Sequence, residues 1–267
     1  MTKLPFSKLQ GAENDFILTW TENAPAGDLP GIARKICARY TGMGADGWML
    51  VSRAPGGLAT RLFNSDGSEP EISGNGTRCA AAFAFWNGAA TGDSVTIHTA
   101  AGAKTLQLLS RKNGSFRFEM NMGSPVYRKE EIRTELPLGG RIFDATILNV
   151  GNPQCAIFVD ALPPDWRALG ALAERDSRFP NRTNVSFVRV LDEHTVDVVF
   201  FERGAGETRS SGTGSTGAAI AAILRGAAKS PVIIRTPAGE MTLRWEESVF
   251  LTGPADFVGE GVFFLDD

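Results

Sequence analysis

The sequence predicts an α+β protein of two homologous halves, each a strand-rich sheet wrapped around a central buried helix, and three observations carry that prediction. The first is an internal repeat. Ser73-Gly-Asn-Gly-Thr-Arg-Cys-Ala-Ala-Ala-Phe-Ala84 returns as Ser211-Gly-Thr-Gly-Ser-Thr-Gly-Ala-Ala-Ile-Ala-Ala222, a separation of 211 − 73 = 138 residues. Phe63 and Glu69 fall on Phe201 and Glu207, and Asn14 on Asn152, at the same separation. Thr99-Ala-Ala-Gly-Ala-Lys-Thr-Leu106 returns as Thr236-Pro-Ala-Gly-Glu-Met-Thr-Leu243, at 236 − 99 = 137. A fixed offset between similar segments marks a duplication. The second observation is a series of short runs rich in β-branched and aromatic residues with turn-formers at their edges, which read as strands over 16–20, 48–52, 94–98, 116–120, 156–159, 195–201 and 232–235. The third is a pair of Ala-rich runs, 76–86 and 214–224, each opened by Ser-Gly-x-Gly. Small residues after a Ser cap predict helices packed tightly inside something. Two more helices are expected over 31–40 and 166–175.

The repeat sets the expected organisation: a first half over 1–124, a connection over 125–141 and a second half over 142–267, with the site expected in the cleft between the halves. Hydrophobic residues at 43% and charged residues at 21% match a globular protein and exclude disordered and fibrous classes. A net charge of −3, with no Lys/Arg stripe, offers no footprint for nucleic acid. Cys37, Cys79 and Cys155 are odd in number and far apart, which argues for reduced thiols and a cytoplasmic location rather than disulfides. The longest apolar stretch, near 218–224, is far short of the roughly 20 residues a spanning helix needs, so no membrane association is expected. His98 and His194 lie away from the motifs, and no metal site is expected.

A glycine-rich turn feeding a helix exposes backbone N–H groups where the helix dipole places partial positive charge, a setting suited to an anion. Two such turns aimed at one carboxylate hold it with neutral donors and stabilise the charge that develops as an α-proton leaves. A residue just before each helix, one per half, then suits two-base proton exchange at that α-carbon. The competing reading is structural, because Gly-x-Gly turns are common and Ser is a good N-cap. A phosphate loop is a weaker alternative, since no Gly-Lys-Ser/Thr ending follows.

At these residues the sequence resembles the diaminopimelate epimerases, nearly end to end. The resemblance is carried by Gly11-Ala-Glu-Asn-Asp-Phe16, Gly42-Met-Gly-Ala-Asp46, Phe63-Asn-Ser-Asp-Gly-Ser-Glu69, Ser73-Gly-Asn-Gly-Thr-Arg78, Gly151-Asn-Pro153, Asn184-Val185, Glu202-Arg-Gly-Ala-Gly-Glu-Thr208 and Ser211-Gly-Thr-Gly214. It implies an isomerase of lysine biosynthesis that needs no cofactor and takes LL- to meso-diaminopimelate, and it leaves a homodimer open. It further implies that Asn14, Asn64, Asn152, Asn184, Glu202 and Arg203 bind the distal amino-acid end. Gly74 and Asn75, with Gly212 and Thr213, are implied around the reacting carboxylate. Read without the resemblance, isolated Asn residues in turns are more often backbone caps.

The departures from that family concern the chemistry. The resemblance implies cysteine at both 73 and 211, one a thiolate base and the other a thiol acid, where this chain has Ser73 and Ser211. A thiol titrates near about 8.5, whereas an alcohol is a far weaker acid and needs a partner base. Gln154 stands where the family's pKa-modulating histidine is implied, and Gly47 where a pocket glutamine is implied. Glu202 is the one obvious titratable group left beside Ser73 and Ser211 in the catalytic set. Three readings stay open: an epimerase whose serines work with Glu202 or water, a binding protein that keeps the pocket without catalysis, and an epimerase whose two cysteines were deliberately changed to serine. Isomerases or dehydratases of the same superfold with other substrates also stay open.

Overall fold

Small side chains after each Ser-Gly-x-Gly turn let a helix enter the middle of a sheet, and both Ala-rich runs do so. The structure is a computed structural model and describes residues 1–265. In chain order its strands and α-helices are β1 (Thr2–Gly11), β2 (Asn14–Trp20), α1 (Leu29–Cys37), β3 (Gly47–Ala54), β4 (Gly57–Asn64), α2 (Gly74–Trp86), β5 (Ser94–Thr99), β6 (Gly102–Lys112), β7 (Ser115–Gly123), β8 (Val126–Tyr127), β9 (Thr134–Leu138), β10 (Arg141–Asn149), β11 (Pro153–Phe158), α3 (Trp166–Glu174), β12 (Asn184–Asp192), β13 (Thr195–Glu202), β14 (Gly206–Thr208), α4 (Gly212–Leu224), β15 (Val232–Thr236), β16 (Gly239–Trp245) and β17 (Val249–Leu265). The chain forms two units, one of Met1–Met120 with the segment from Gly253 onward, the other of Asn121–Thr252.

In the first unit β1 pairs antiparallel with β2, β2 parallel with β3, β3 antiparallel with β4, β4 parallel with β5, and β5–β6–β7 form a meander. Each parallel step is a crossover through a helix, α1 between β2 and β3 and α2 between β4 and β5. One face of α1 buries Ala33, Ile36 and Cys37 against Leu4, Ile17, Trp48, Leu50 and Phe63. The α2 helix is buried on all sides from Asn75 to Phe85, which its run of alanines permits. Asp28 caps α1 by accepting from Gly31 N at 2.9 Å. The sequence extends this helix to residue 40, but it ends at Cys37, because Met43 N and Ala45 N take the carbonyls of Ile36 and Cys37. That turn needs a glycine at 42, where a Cβ would sit 2.2 Å from Lys35 O.

The second unit repeats the plan. β10 pairs antiparallel with β11, β11 parallel with β12 across α3, β12 antiparallel with β13, and β13 parallel with β15 across α4. Ala218 to Ala222 of α4 pack among Leu148, Val188, Val198, Phe200, Ile234 and Leu251. Trp166, Leu169 and Ala173 of α3 pack against Leu136, Ile157 and Phe187.

The units differ from the repeat boundaries in two places. β17 continues into the first unit, where β1 pairs with it from Thr2↔Leu265 to Gln10↔Asp256, so the last residues complete the half that begins the chain. Residues 125–141 are more than a connection, since β8 and β9 both pair with β10 in the second unit. No helix among the described residues is long and apolar enough to cross a membrane.

Candidate active site

The two Ser-Gly-x-Gly turns are built alike. Ser73 has φ −125° and ψ 121°, and Ser211 has φ −143° and ψ 121°, the extended geometry of an N-cap. Ser73 Oγ accepts from Gly76 N at 3.1 Å, and Ser211 Oγ from Gly214 N at 3.0 Å. The first N–H groups of a helix have no intrahelical acceptor, so each serine satisfies one and leaves the start of its helix, at Gly74 and Asn75 or at Gly212 and Thr213, as the donor-rich end. Both serines therefore fill the structural role that alone would account for them. The hydroxyl hydrogens separate the two. Ser211 Oγ donates to Glu202 Oε2 at 2.8 Å, whereas Ser73 donates to no group among the described residues.

Glu202 reaches Ser211 because the β13–β14 hairpin folds residues 206–208 back over 200–202. Thr208 Oγ1 donates to Glu202 Oε1 at 2.7 Å, so both carboxylate oxygens carry a hydroxyl. Burial pushes the Glu202 carboxyl above the usual carboxylate range, against the opposing pull of the Thr208 and Ser211 hydrogen bonds. Asn64 stands at the repeat position of Glu202, since 64 + 138 = 202, and its amide is spent on Ser68 Oγ at 2.9 Å within its own turn.

The remaining candidates fall into short networks, one set per half. In the first, Asn14 Nδ2 donates to Asp46 Oδ2 at 2.6 Å, and Asn75 Nδ2 to Asn14 Oδ1 at 3.4 Å. In the second, Asn152 Nδ2 donates to Thr213 Oγ1 at 3.2 Å, the pair that the repeat places on Asn14 and Asn75. Asn184 ties two loops together, accepting from Arg203 N at 3.0 Å and donating to Pro153 O at 3.1 Å. The Arg203 guanidinium bonds Asn181 O at 3.3 Å, and among the described residues no carboxylate lies within ion-pair distance of it. Thr208, Asp46 and Arg78 belong to these networks and were missed by motif reading. Among the described residues no cluster of His, Cys, Asp or Glu has the geometry of a metal site.

The diaminopimelate epimerase family model matches residues 6–128 and 146–258, thus both copies of the repeat. The chain belongs to the diaminopimelate epimerase family. It is 37% identical to the diaminopimelate epimerase of Moorella thermoacetica, covering 98% of this chain and 99% of that protein. It is 36% identical to that of Pelotomaculum thermopropionicum, covering 97% and 98%. Among solved structures it is similar in fold to a hydroxyproline epimerase from Agrobacterium vitis, with TM-score 0.74, 15% identity and coverage of 100% and 94%. A Bacillus anthracis protein of the PhzF family superposes with TM-score 0.72, 16% identity and coverage of 99% and 100%. Membership in an epimerase family makes the chain an enzyme of the isomerase class.

Against that membership, the departures that the resemblance implies at 47, 73, 154 and 211 acquire physical content. Cys37, Cys79 and Cys155 are buried, and burial pushes their thiols up to about 12, so none of them offers an acidic thiol. A side chain at Gly47 would meet Phe63 O at 2.9 Å and Leu62 Cδ1 at 3.0 Å, so β3 has no room for glutamine there as it stands. Gln154 is buried against α4, where its Cγ lies 2.9 Å from a Cβ built on Gly217. Its Nε2 donates to Asn152 Oδ1 at 2.6 Å. An amide in this position orients Asn152 and exchanges no proton.

Proposed function

We propose that this chain binds diaminopimelate and exchanges the proton at one of its α-carbons without a cofactor, inverting that centre, as a step of lysine biosynthesis. The observation that supports this most is the 2.8 Å hydrogen bond from Ser211 to Glu202 in a chain that the epimerase family model matches over both copies of the repeat. It supplies the partner base that an alcohol needs. As Ser211 Oγ takes the α-proton, its own proton passes to Glu202 Oε2, while Thr208 holds Oε1 in place. Burial raises the proton affinity of Glu202, which makes it a stronger base than an exposed carboxylate. Ser73 is assigned to the opposite face of the α-carbon as proton donor, its hydroxyl regaining a proton from water as its own passes to carbon. The charge that grows on the reacting carboxylate is held by N–H groups at Gly74, Asn75, Gly212 and Thr213. Arg203 takes the distal carboxylate, with Asn14, Asn64, Asn152 and Asn184 as neutral partners for the zwitterion.

One observation favours a second reading, a diaminopimelate-binding protein that does not invert its ligand. Among the described residues no carboxylate accepts from Ser73, and the repeat position of Glu202 holds Asn64. Loss of a matched acid or base costs about 10²- to 10⁴-fold. Incubation of diaminopimelate with the protein in deuterated water separates the readings. Enzyme-dependent α-deuteration that disappears in Glu202→Gln is the expected result. Calorimetric binding without deuteration supports the binding protein, and absence of binding overturns diaminopimelate as the ligand.

A further inference from the structure

Arg78 lies wholly buried in the second turn of α2, five residues beyond Ser73, and no carboxylate among the described residues pairs with it. Its Nε donates to Pro254 O at 2.9 Å and its Nη2 to Asn75 Oδ1 at 2.5 Å, while Nη1 has no hydrogen-bond partner among the described residues. Burial pushes its pKa down to about 10. A buried charge held only by neutral acceptors is costly, and the surrounding backbone is shaped to admit it. A Cβ at Gly253 would sit 2.8 Å from Arg78 Cζ, and one at Gly11 would sit 3.2 Å from Pro254 O and 3.3 Å from Asn75 O. Glycine in β1 and in β17 makes the space that this guanidinium and its acceptor occupy.

The buried charge terminates a chain of amides. Asp46, an acceptor only, takes Asn14 Nδ2, Asn14 Oδ1 takes Asn75 Nδ2, and Asn75 Oδ1 takes Arg78, a donor only. With a carboxylate at one end and a guanidinium at the other, each amide has a single allowed orientation. Turning the Asn75 amide over would set NH₂ against guanidinium N–H. The second half has no such device. The repeat places Thr216 on Arg78, since 78 + 138 = 216, and its hydroxyl only bonds Gly212 O at 2.8 Å. There Asn152 donates toward the helix, the reverse of the direction between Asn75 and Asn14.

We propose that Arg78 is the positioning residue of the first Ser-Gly-x-Gly turn, fixing the Asn75 amide so that its NH₂ group is the face presented to Asn14 and to a bound carboxylate. It acts through Asn75 and touches no substrate. The part that concerns a ligand rests on the functional reading above, and the orientation itself does not.

Calorimetric titration with diaminopimelate of the wild type, Arg78→Met, Asn75→Ala and the double variant tests it. The expected result is a loss of affinity of about tenfold or more for Arg78→Met, the worth of a hydrogen bond to a charged group. In the Asn75→Ala background the same change costs less than about twofold, because its route is already gone. Equal losses in both backgrounds, or none in either, overturn the proposal. If the wild type itself does not bind diaminopimelate, the functional reading fails and the Asn75 side-chain amide protons decide the matter by NMR. Exchange about tenfold faster in Arg78→Met supports the positioning role, and an unchanged rate overturns it. Should Arg78→Met not fold, Arg78→Lys, which keeps charge without the planar fork, is read in the same two ways.

Discussion

At the scale of single residues, the proposed proton transfer makes Glu202 the group that sets the pH behaviour. Its carboxyl is raised by burial, so α-proton exchange should rise with pH along a limb lying above the ordinary carboxylate range, as the base form becomes available. Stability should run the other way. Between the unfolded carboxyl pKa and the raised folded one, the native state holds a proton that the unfolded chain has released, so stability falls as pH rises through that window. Urea unfolding of the wild type and of Glu202→Gln across that window checks this, because the glutamine variant lacks this contribution to the slope. The repeat singled out Ser73 and Ser211, the resemblance singled out Glu202, and the structure adds the hydrogen bond from Ser211 to Glu202. Thr208 was not legible in the sequence, because nothing in its local pattern says that the β13–β14 hairpin returns it to Glu202. Arg78 was not either, since a charged residue is rarely fully buried and nothing in its neighbourhood names its partners.

At the scale of elements, the two central helices depend on their glycines unequally. A Cβ at Gly214 would meet the ring of Phe200 at 2.7 Å, whereas one at Gly76 would meet first the Met49 Cε at 2.9 Å, the end of a flexible side chain. Gly214→Ala should cost about 1–3 kcal/mol by overpacking, and Gly76→Ala less, because methionine yields. Denaturant midpoints of the two variants give the comparison. Ser73→Ala removes a cap and should cost about 1 kcal/mol in the same measurement. The helices α2 and α4 were readable because a Ser cap, glycine and alanine run together. The strand β17 was not, because Gly253, Pro254, Gly259 and Gly261 read as breakers within a 17-residue strand. The end of α1 was misread for a related reason, since the tight approach of Gly42 to Lys35 O is a tertiary demand that periodicity does not show.

At the scale of the molecule, duplication made the architecture legible before any single element was secure. The same crossovers, β2–α1–β3 with β11–α3–β12 and β4–α2–β5 with β13–α4–β15, appear in both units. What duplication concealed is the difference between the copies. One turn carries a hydroxyl bonded to a carboxylate, and the other carries a buried guanidinium bonded to Asn75 and a hydroxyl with no carboxylate partner among the described residues. The central proposal is that the frame for epimerisation is kept and that Ser73 and Ser211, in place of the thiols the resemblance implies, limit its rate. Replacing both serines by cysteine, the residue that the resemblance implies, isolates that difference, since a thiol at a helix N-terminus titrates far closer to neutrality than an alcohol. The decisive measurement is the initial rate of α-deuteration of diaminopimelate by the wild type and by the Ser73→Cys/Ser211→Cys variant. The account predicts a rate about 10²- to 10⁴-fold higher for the double variant. A folded double variant that deuterates no faster than the wild type would contradict it.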